Sequence, residues 1–340
     1  MNRKLLESEI HGCLRDVGSC IDGRHIAYHV EPEISKKEIL LTGFVHFPQQ
    51  EQALLDKIGK SPSVKKEKIS VRSGLKILSR RKIRFFQVSV PSSNMRRDPR
   101  KNGEVVTQIL LGAFVLGYFS RGRYLYGADP HGYLGYIEKE NLIEKSRKDY
   151  LEWLNGLRGR LIRNVPIKGG FLPMGSELIC PDREHVLLPD GKKMRISGGS
   201  VYCYDPARHK KIRPIVKTAR SFIGTPYLWG GKAKPGIDCS GFVQVVFLAN
   251  RIALPRDASQ QINVGQIMGM LGDFSDFLPG DLLFFMGQSS RIVHVGISLG
   301  GDRFLHATLR EGIKESPIDD IDMGNRPFCD YYIMGRRVLV

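Results

Sequence analysis

The stretch GIDCSGF, residues 236–242, holds Cys239, one of six cysteines in 340 residues. After it, apolar residues recur at steps of three and four, which predicts a buried helix. Asp238 is a residue type favoured at the N-cap, so Cys239 falls in the first turn. Backbone N–H groups and the helix dipole stabilise an anion there, and we expect a lowered thiol pKa. A lone cysteine of this kind is nevertheless more often a small buried core side chain than a nucleophile.

Two histidines further along the chain change that balance. The runs 279–287 and 291–300 predict adjacent strands, and the run 302–308 predicts a third. His294 and His306 would then be neighbours across an antiparallel pair. A thiol at a helix start with two strand histidines matches the nucleophile, base and orienting residue of a papain-like hydrolase.

The predicted secondary structure changes in type several times before the cysteine. Residues 36–47 predict a strand and 48–60 a short helix, with Pro48 near its start. Short β-type runs separated by Pro, Gly and Asn/Asp clusters fill 85–142, which is typical of a small barrel. The segment 170–202 is again strand, turn, strand. Helical spacing then returns at Ile212, Ile215, Val216, Ala219 and Phe222.

Charge and composition narrow the classes of partner and compartment. The net charge of +17 favours polyanions such as nucleic acid or an acidic cell wall. The basic run over 72–84 is interpreted as a solvated face, with attraction to an anionic polymer as the alternative. No CxxC pair occurs, so we expect free thiols in a reducing compartment and no zinc site.

Targeting signals are not evident in the sequence. The N-terminus, MNRKLLESEIHGCLRD, has no apolar core of signal-peptide length. The most apolar window, 105–119, is shorter than a bilayer span and includes Thr107 and Gln108. We therefore expect a cytoplasmic protein without a membrane helix, and leave action at the cell envelope open.

Several motifs occur in order and with fitting spacing. They are GTPYLWGGKAKPGIDCSGFVQ, LPRDASQQ, LPGDLLFF, VHVGISLG and FLHAT, and together they cover most of 218–308. This combination resembles the NlpC family of papain-like bacterial cell-wall cysteine peptidases. Upstream, SSNMRRDPRKNGEVVTQILLG and DPHGYLGYIEKENL resemble a bacterial SH3 domain. The whole arrangement is similar to that of the γ-D-glutamyl-L-diamino acid endopeptidases.

The resemblance implies a multidomain α+β protein. We expect a mixed α/β segment of unassigned role at 1–84, a first SH3-like β-barrel at 85–150 and a second at 151–207. The papain-like α+β peptidase domain would occupy 208–340.

By the resemblance, Cys239 is the nucleophile, His294 the general base and His306 the residue that orients the base. The backbone N–H of Cys239 is the expected oxyanion donor. Asp257 is expected to receive the free amine of an N-terminal L-Ala. Arg256 would meet the D-Glu α-carboxylate or pair with Asp257.

Other residues are expected to contact the substrate. Tyr227 would line the cleft, as a hydroxyl donor or only as an aromatic wall. Ser240 would bind a substrate carboxylate or serve only as a first-turn residue. In this family the first SH3 domain walls the cleft with acidic and tyrosine side chains, so Glu104 and Tyr133 are candidates, with ordinary surface positions as the alternative. The full expected substrate-binding set is Tyr227, Asp238, Ser240, Arg256, Asp257, Ser259, Glu104 and Tyr133.

The predicted function is hydrolysis of the γ-D-glutamyl to diaminopimelate bond of peptidoglycan stem peptides, with a preference for a free N-terminal L-Ala. We expect a monomer that acts on peptidoglycan-derived peptide without cofactor, metal, membrane or nucleic acid. The alternatives are a hydrolase that remodels intact wall, a basic SH3-type binding protein with an inactive peptidase domain, and an acyltransferase on the same fold. A metal site built on the cysteine and histidines is the rival chemistry, and no fourth ligand is evident.

Overall fold

The structure, a computed structural model, describes the chain with short gaps. The described residues are 3–19, 21–182, 184–196, 199–204, 215–268, 274, 277–287, 291–323 and 326–338. Ile212, named above for its helical spacing, lies outside them, as does Cys20, one of the six cysteines.

The α-helices of the described residues are α1 (Arg3–Ser19), α2 (Pro48–Gly59), α3 (Pro62–Glu67), α4 (Arg147–Asn155), α5 (Ile215–Arg220), α6 (Cys239–Ala249) and α7 (Ala258–Gln261). The strands before α5 are β1 (Tyr28–Ile34), β2 (Glu38–Val45), β3 (Ser70–Ser73), β4 (Lys76–Ile77), β5 (Arg84–Val88), β6 (Ser92–Arg96), β7 (Val105–Leu110), β8 (Phe114–Arg121), β9 (Tyr124–Ala128), β10 (Leu134–Glu138), β11 (Leu142–Lys145), β12 (Arg158–Leu161), β13 (Val165–Ile167), β14 (Gly170–Leu172), β15 (Glu177–Asp182), β16 (His185–Leu187), β17 (Lys193–Arg195) and β18 (Val201–Tyr204). The later strands are β19 (Lys232–Ala233), β20 (Gly236–Ile237), β21 (Gln266–Met268), β22 (Leu282–Met286), β23 (Ile292–Gly300), β24 (Arg303–Thr308), β25 (Gly312–Pro317), β26 (Ile321–Met323), β27 (Arg326–Pro327) and β28 (Tyr332–Arg337).

The chain divides into two compact units. The first contains residues 1–84, 116–120 and 126–135, and the second contains 85–115, 121–125 and 136–340. In the first unit, apolar faces of α1 and α2 close over the sheet β1–β4, with Leu6, Ile10, Leu41 and Leu54 fully buried. The strand at 36–47 and the helix at 48–60 are thus confirmed.

The basic side chains of 72–84 are exposed, as a solvated face requires. Arg72 forms an ion pair with Glu38, with its Nη1 3.4 Å from Oε1.

Two sheets of short strands follow the sheet β1–β4. One has seven strands in the order β11-β5-β8-β9-β10-β6-β7, and the other has five in the order β17-β16-β15-β12-β18. Closure of the first sheet would need its end strands β11 and β7 to pair, and that pairing is not among those of the described residues. The short strands are therefore as predicted, but the two SH3-like barrels are not confirmed.

The C-terminal part is built on a six-stranded sheet in the order β21-β28-β22-β23-β24-β25. Side chains of β22 alternate between its two faces. Leu282 and Phe284 pack in the core that contains α6, while Leu283 and Phe285 pack in a second cluster with Phe304 and Phe328. The buried helix α6 and the predicted β22–β23–β24 ladder are both confirmed. This α+β arrangement fits a papain-like domain.

The cysteines contradict one prediction. Cys180 and Cys203 are joined in a disulfide between β15 and β18, with their Cα atoms 6.3 Å apart. Free thiols at all six positions were therefore the wrong expectation, because two cysteines distant in sequence lie in one sheet, which spacing alone does not reveal. Cys13, Cys239 and Cys329 are free.

Within the described residues, no helix combines the length and apolar character needed to cross a membrane.

Candidate active site

Cys239 opens helix α6, as the sequence predicts. The Asp238 carboxylate caps the helix by accepting the backbone N–H of Gly241, at 2.6 Å from N to Oδ1. Gly241 itself has a packing reason to sit inside the helix. A Cβ at this position would overlap the carbonyl oxygen of Gly231, so only glycine allows the loop to approach the first turn.

The Cys239 thiol is buried and forms part of the core around α6. Burial raises the pKa of the thiol to about 12, and the charge of Asp238 adds to this effect. The backbone N–H groups of Val295 and Ser240 donate toward the sulfur and oppose the increase in pKa, as does the charge of Arg256. The expected lowered pKa is therefore wrong for this enclosed site, since loss of water outweighs the stabilisation available at the helix terminus.

The two histidines meet as predicted. Nε2 of His294 lies 3.0 Å from Nδ1 of His306. Burial lowers the pKa of His294 to about 4, opposed by the charge of Asp238. Burial likewise lowers the pKa of His306, with smaller contributions from His294 and Lys314. Both imidazoles are therefore neutral at pH 7, and one N–H lies between them.

The proximity of the histidines to the thiol follows from two observations. Val295, which donates its N–H toward the sulfur of Cys239, is the residue next to His294 on β23. The charge of Asp238 also raises the pKa of both Cys239 and His294. Because His294 uses Nε2 toward His306, its Nδ1 is the ring nitrogen not engaged in that contact.

Asp238 is the centre of a buried polar cluster. Its Oδ2 accepts from Nη2 of Arg256 at 2.5 Å and from the Gly230 N–H at 2.8 Å, and its Oδ1 accepts from Nη1 of Arg256 at 3.0 Å. The same Nη1 donates to Oγ of Ser240 at 2.9 Å. The Arg256 side chain is 2% exposed. Its partner Asp238 was not foreseen, because residues 18 apart are brought together only by the tertiary fold.

The seven-stranded sheet contributes to this cluster through β7. Nε of Arg256 donates to Oγ1 of Thr107 at 2.9 Å, and the Lys232 N–H donates to Oε1 of Gln108 at 3.0 Å. Sequence reasoning noted these two polar residues only as interruptions of an apolar window. Polar side chains within an otherwise buried strand were the available signal that β7 makes specific polar contacts.

Tyr227 is half-buried beside the cysteine loop, in a bridge with Ile237. Burial raises the pKa of its hydroxyl, and the charges of Cys239 and Asp238 act in the same direction. The hydroxyl thus remains a donor. Asp257 is half-buried at the start of α7, and its carboxylate does not cap that helix. Ser259 is exposed on α7.

Glu104 and Tyr133 have other contacts. Oε2 of Glu104 accepts from Nε of Arg97 at 2.7 Å, and the Glu104 side chain is 45% exposed. Tyr133 belongs to the first unit, where it is buried with its ring centroid 5.3 Å from that of His25.

In the described part of the chain, no group of three or more His, Cys, Asp or Glu side chains is arranged to hold a metal ion.

Comparisons with known proteins agree with this fold and site. Residues 224–330 match the NlpC/P60 family. Dipeptidyl-peptidase 6 of Lysinibacillus sphaericus is 36% identical over 259 residues, which cover 68% of this chain and 89% of that protein. A solved NlpC/P60 family protein from Bacillus cereus ATCC 10987 shares the fold with a TM-score of 0.65 at 19% identity, over 75% of this chain and 100% of that chain.

Two other relatives are matched over smaller parts. Gamma-D-glutamyl-L-lysine dipeptidyl-peptidase of Bacillus subtilis is 42% identical over 95 residues, 27% of this chain and 31% of that protein. Probable endopeptidase NlpC of Escherichia coli is 40% identical over 105 residues, 30% of this chain and 65% of that protein. The chain thus spans less than two thirds of the length of these two relatives.

The α+β fold, with a thiol at a helix N-terminus beside two paired imidazoles, is that of a papain-like domain. The match to the Lysinibacillus relative covers 89% of that protein at 36% identity, and the chain therefore belongs to the NlpC/P60 family.

Proposed function

We propose that the chain is a cysteine endopeptidase that hydrolyses the bond between γ-D-Glu and the diamino acid, diaminopimelate, in peptidoglycan-derived peptides. The observation that carries the proposal is the contact of His294 with His306 beside a thiol at the N-terminus of α6. Relatives with peptidase names, including one named for a γ-D-glutamyl-L-lysine bond, support the reaction class.

The neutral state of the site supports general-base activation rather than a preformed ion pair. The Cys239 sulfur attacks the scissile carbonyl carbon while its proton passes to Nδ1 of His294. The resulting imidazolium is stabilised because its Nε2–H donates to Nδ1 of His306. His294 then returns the proton to the leaving amine. Water hydrolyses the thioester by the same route in reverse and restores the thiol.

The oxyanion is expected at the N-terminus of α6, next to the backbone N–H of Cys239. This helix has 11 residues, and its dipole favours the developing negative charge. The Asp238–Arg256 cluster holds the first turn in place, since it caps the helix and contacts Ser240. We therefore assign Asp238 and Arg256 to positioning the first turn, and Ser240 remains a proposed contact to a substrate carboxylate.

Substrate choice is proposed to depend on Asp257. A free α-ammonium needs a carboxylate to replace its hydration, and such a charge-assisted bond contributes about 1.5–3 kcal/mol. Asp257 is half-buried at the start of α7, in the loop that follows Arg256. Tyr227 would contribute its protonated hydroxyl, and Ser259, Glu104 and Tyr133 remain proposed contacts from the family resemblance.

We also propose that residues 85–150 and 151–207 are SH3-like modules that precede a peptidase domain at 208–340. Support comes from their separate antiparallel sheets of short strands. Each module also contacts the peptidase region. Thr107 of the first accepts from Arg256, and Arg160 of the second donates from Nη1 to the Leu248 carbonyl at 2.5 Å.

The test is mass spectrometry of products from L-Ala-γ-D-Glu-diaminopimelate, with and without an acetyl group on the alanine nitrogen. We expect release of L-Ala-γ-D-Glu from the free peptide and little from the capped one. Cys239→Ala should abolish cleavage and also labelling by iodoacetamide at this position. Equal cleavage of both peptides would redirect the proposal to intact wall, while cleavage by Cys239→Ala would end the cysteine mechanism.

A further inference from the structure

The two histidines are enclosed by phenylalanine rings. Ring centroids of Phe285 and His294 are 5.7 Å apart, and those of Phe304 and His306 are 4.4 Å apart. Phe328 contacts both imidazoles, with centroid distances of 5.9 Å to His294 and 4.8 Å to His306. The three phenylalanines are at most 1% exposed, so the pair faces an apolar wall.

The position of this wall follows from strand alternation. Phe285 is paired in register with His294, and Phe304 precedes His306 by two residues, so it projects from the same face of β24. Phe328 comes from a separate segment after β27. Three backbone hydrogen bonds hold that segment: the Phe328 N–H donates to Asp320, the Cys329 N–H to Ile318, and the Tyr331 N–H to Phe328.

The wall leaves one polar atom without a protein partner. Nε2 of His306 is buried and makes no hydrogen bond to the described residues. If Nε2 of His294 donates, then Nδ1 of His306 must accept, and His306 carries its own proton on Nε2. Among the described residues, no group is hydrogen-bonded to an N–H in this place. The charge of Lys314, the register partner of His306, disfavours a positive charge on His306, while the charge of Asp238 favours one on His294. The rings exclude the water that would otherwise stabilise such a charge.

We propose that Phe328 is a positioning residue of this histidine pair. Its ring is stacked at 25° on His294 and nearly perpendicular, at 88°, to His306, so it restricts both imidazoles to the orientation in which His294 donates and His306 accepts. It also keeps water from Nε2 of His306. That this pair serves catalysis rests on the proposed function, whereas the positioning itself is a property of the folded protein.

The experiment is a pH titration of the histidine ring nitrogens by ¹⁵N NMR, with His294 and His306 assigned through loss of signal in His294→Gln and His306→Gln. In the unchanged protein, we expect His294 and His306 to be protonated on Nε2 and to titrate well below pH 6.5. In Phe328→Leu, we expect their titration to move up by about one pH unit or more, as water reaches the pair. Phe328→Met provides the same test if the leucine variant does not fold, because it removes the ring at similar volume.

Phe247→Leu is the matched control, since Phe247 is fully buried in the core around α6, whereas the rings around the histidines belong to the second cluster with Phe285, Phe304 and Phe328. It should lose comparable packing and leave the titration of both histidines unchanged. The acid limb of kcat/KM should move upward with the titration only in the Phe328 variants, together with an about tenfold fall in kcat/KM. The proposal is overturned if the Phe328 variants titrate as the unchanged protein does, or if Phe247→Leu shifts equally. A proton on Nδ1 of His306 in the unchanged protein would overturn it without any variant. The NMR readout needs no substrate, so an inactive protein with the expected shifts would count against the proposed function alone.

Discussion

The Asp238–Arg256 side of the site and the His294–His306 side are both buried, but polar groups are accommodated differently on each. The Asp238 carboxylate accepts from Arg256 and from two backbone N–H groups. The histidines have a single contact of 3.0 Å between nitrogens and are otherwise enclosed by rings, so burial keeps them neutral. Charge is thus compensated on one side and avoided on the other.

The two sides should therefore respond to different changes. A buried ion pair is damaged most by loss of one partner, which leaves the other charge uncompensated. A buried neutral imidazole destabilises the fold when it is protonated, so this side of the site is sensitive to acid. The substitutions below separate these two behaviours.

The largest expected effect is that of Asp238→Ala on stability. It removes the two carboxylate oxygens that accept from Arg256 and the cap of α6, and we expect the free energy of unfolding to fall by about 3–5 kcal/mol. Urea unfolding at neutral pH measures it. Glu104→Ala is the control, because it breaks an exposed carboxylate–arginine pair and should cost only about 0–1 kcal/mol. Similar losses in both variants would show that burial does not distinguish the two pairs.

The next effect is the loss of stability at acidic pH that arises from the His294–His306 side. The unfolded chain takes up a proton on His294 near pH 6.5, whereas the folded protein resists it until about pH 4. The unfolded state therefore binds more protons within this window, so stability is highest above pH 6.5 and falls as the pH is lowered toward 4. We expect a loss of about 3 kcal/mol from His294 over that interval.

Urea unfolding from pH 7.5 to 4 tests the acid dependence. His294→Gln removes the titrating group, so its free energy of unfolding should change less over the same window. Parallel pH curves for the two proteins would mean that His294 is not neutral in the folded state. In that case both sides of the site would carry charge.

Local signals predicted the parts of the site that depend on local structure. Asp238 as N-cap, Cys239 in the first turn and the cross-strand contact of His294 with His306 all follow from 3.6- and 2-residue periods. The pKa of Cys239 was predicted in the wrong direction, because a helix terminus is visible in sequence whereas burial depends on the whole domain. The family resemblance identified the peptidase region, which the match at 224–330 confirms.

Contacts between distant segments could not be predicted in this way. The contacts of Arg256 with Asp238 and Thr107 join such segments, and the prediction of a substrate carboxylate or Asp257 as its partner did not include them. Phe328 lies 22 residues beyond His306 and reaches it only because the chain returns after β27. The Cys180–Cys203 disulfide has the same origin, since its partners belong to β15 and β18.

The smallest expected effect tests whether the compensated side extends into β7. Thr107 is fully buried, and its hydroxyl oxygen accepts from Nε of Arg256 at 2.9 Å. Thr107→Val keeps the shape of the side chain but leaves this charged donor unpaired, which should cost about 1.5 kcal/mol of stability. Because Arg256 also holds Asp238 and Ser240, we expect kcat/KM to fall several-fold as well.

Thr42→Val is the matched control for this substitution. Thr42 is half-buried on β2 of the first unit, and its hydroxyl donates to the Glu31 carbonyl at 3.2 Å in a solvent-accessible hydrogen bond. The change should therefore stay within about 0.5 kcal/mol and leave kcat/KM unaltered. A Thr107→Val protein with unchanged stability and activity would mean that Asp238 alone compensates Arg256. The seven-stranded sheet would then not stabilise the Asp238–Arg256 side of the site through this contact. A loss of stability and activity in Thr107→Val that is absent in Thr42→Val would show that the buried charge of Arg256 depends on an acceptor from the seven-stranded sheet. That dependence would explain why a threonine hydroxyl occurs in the buried strand β7.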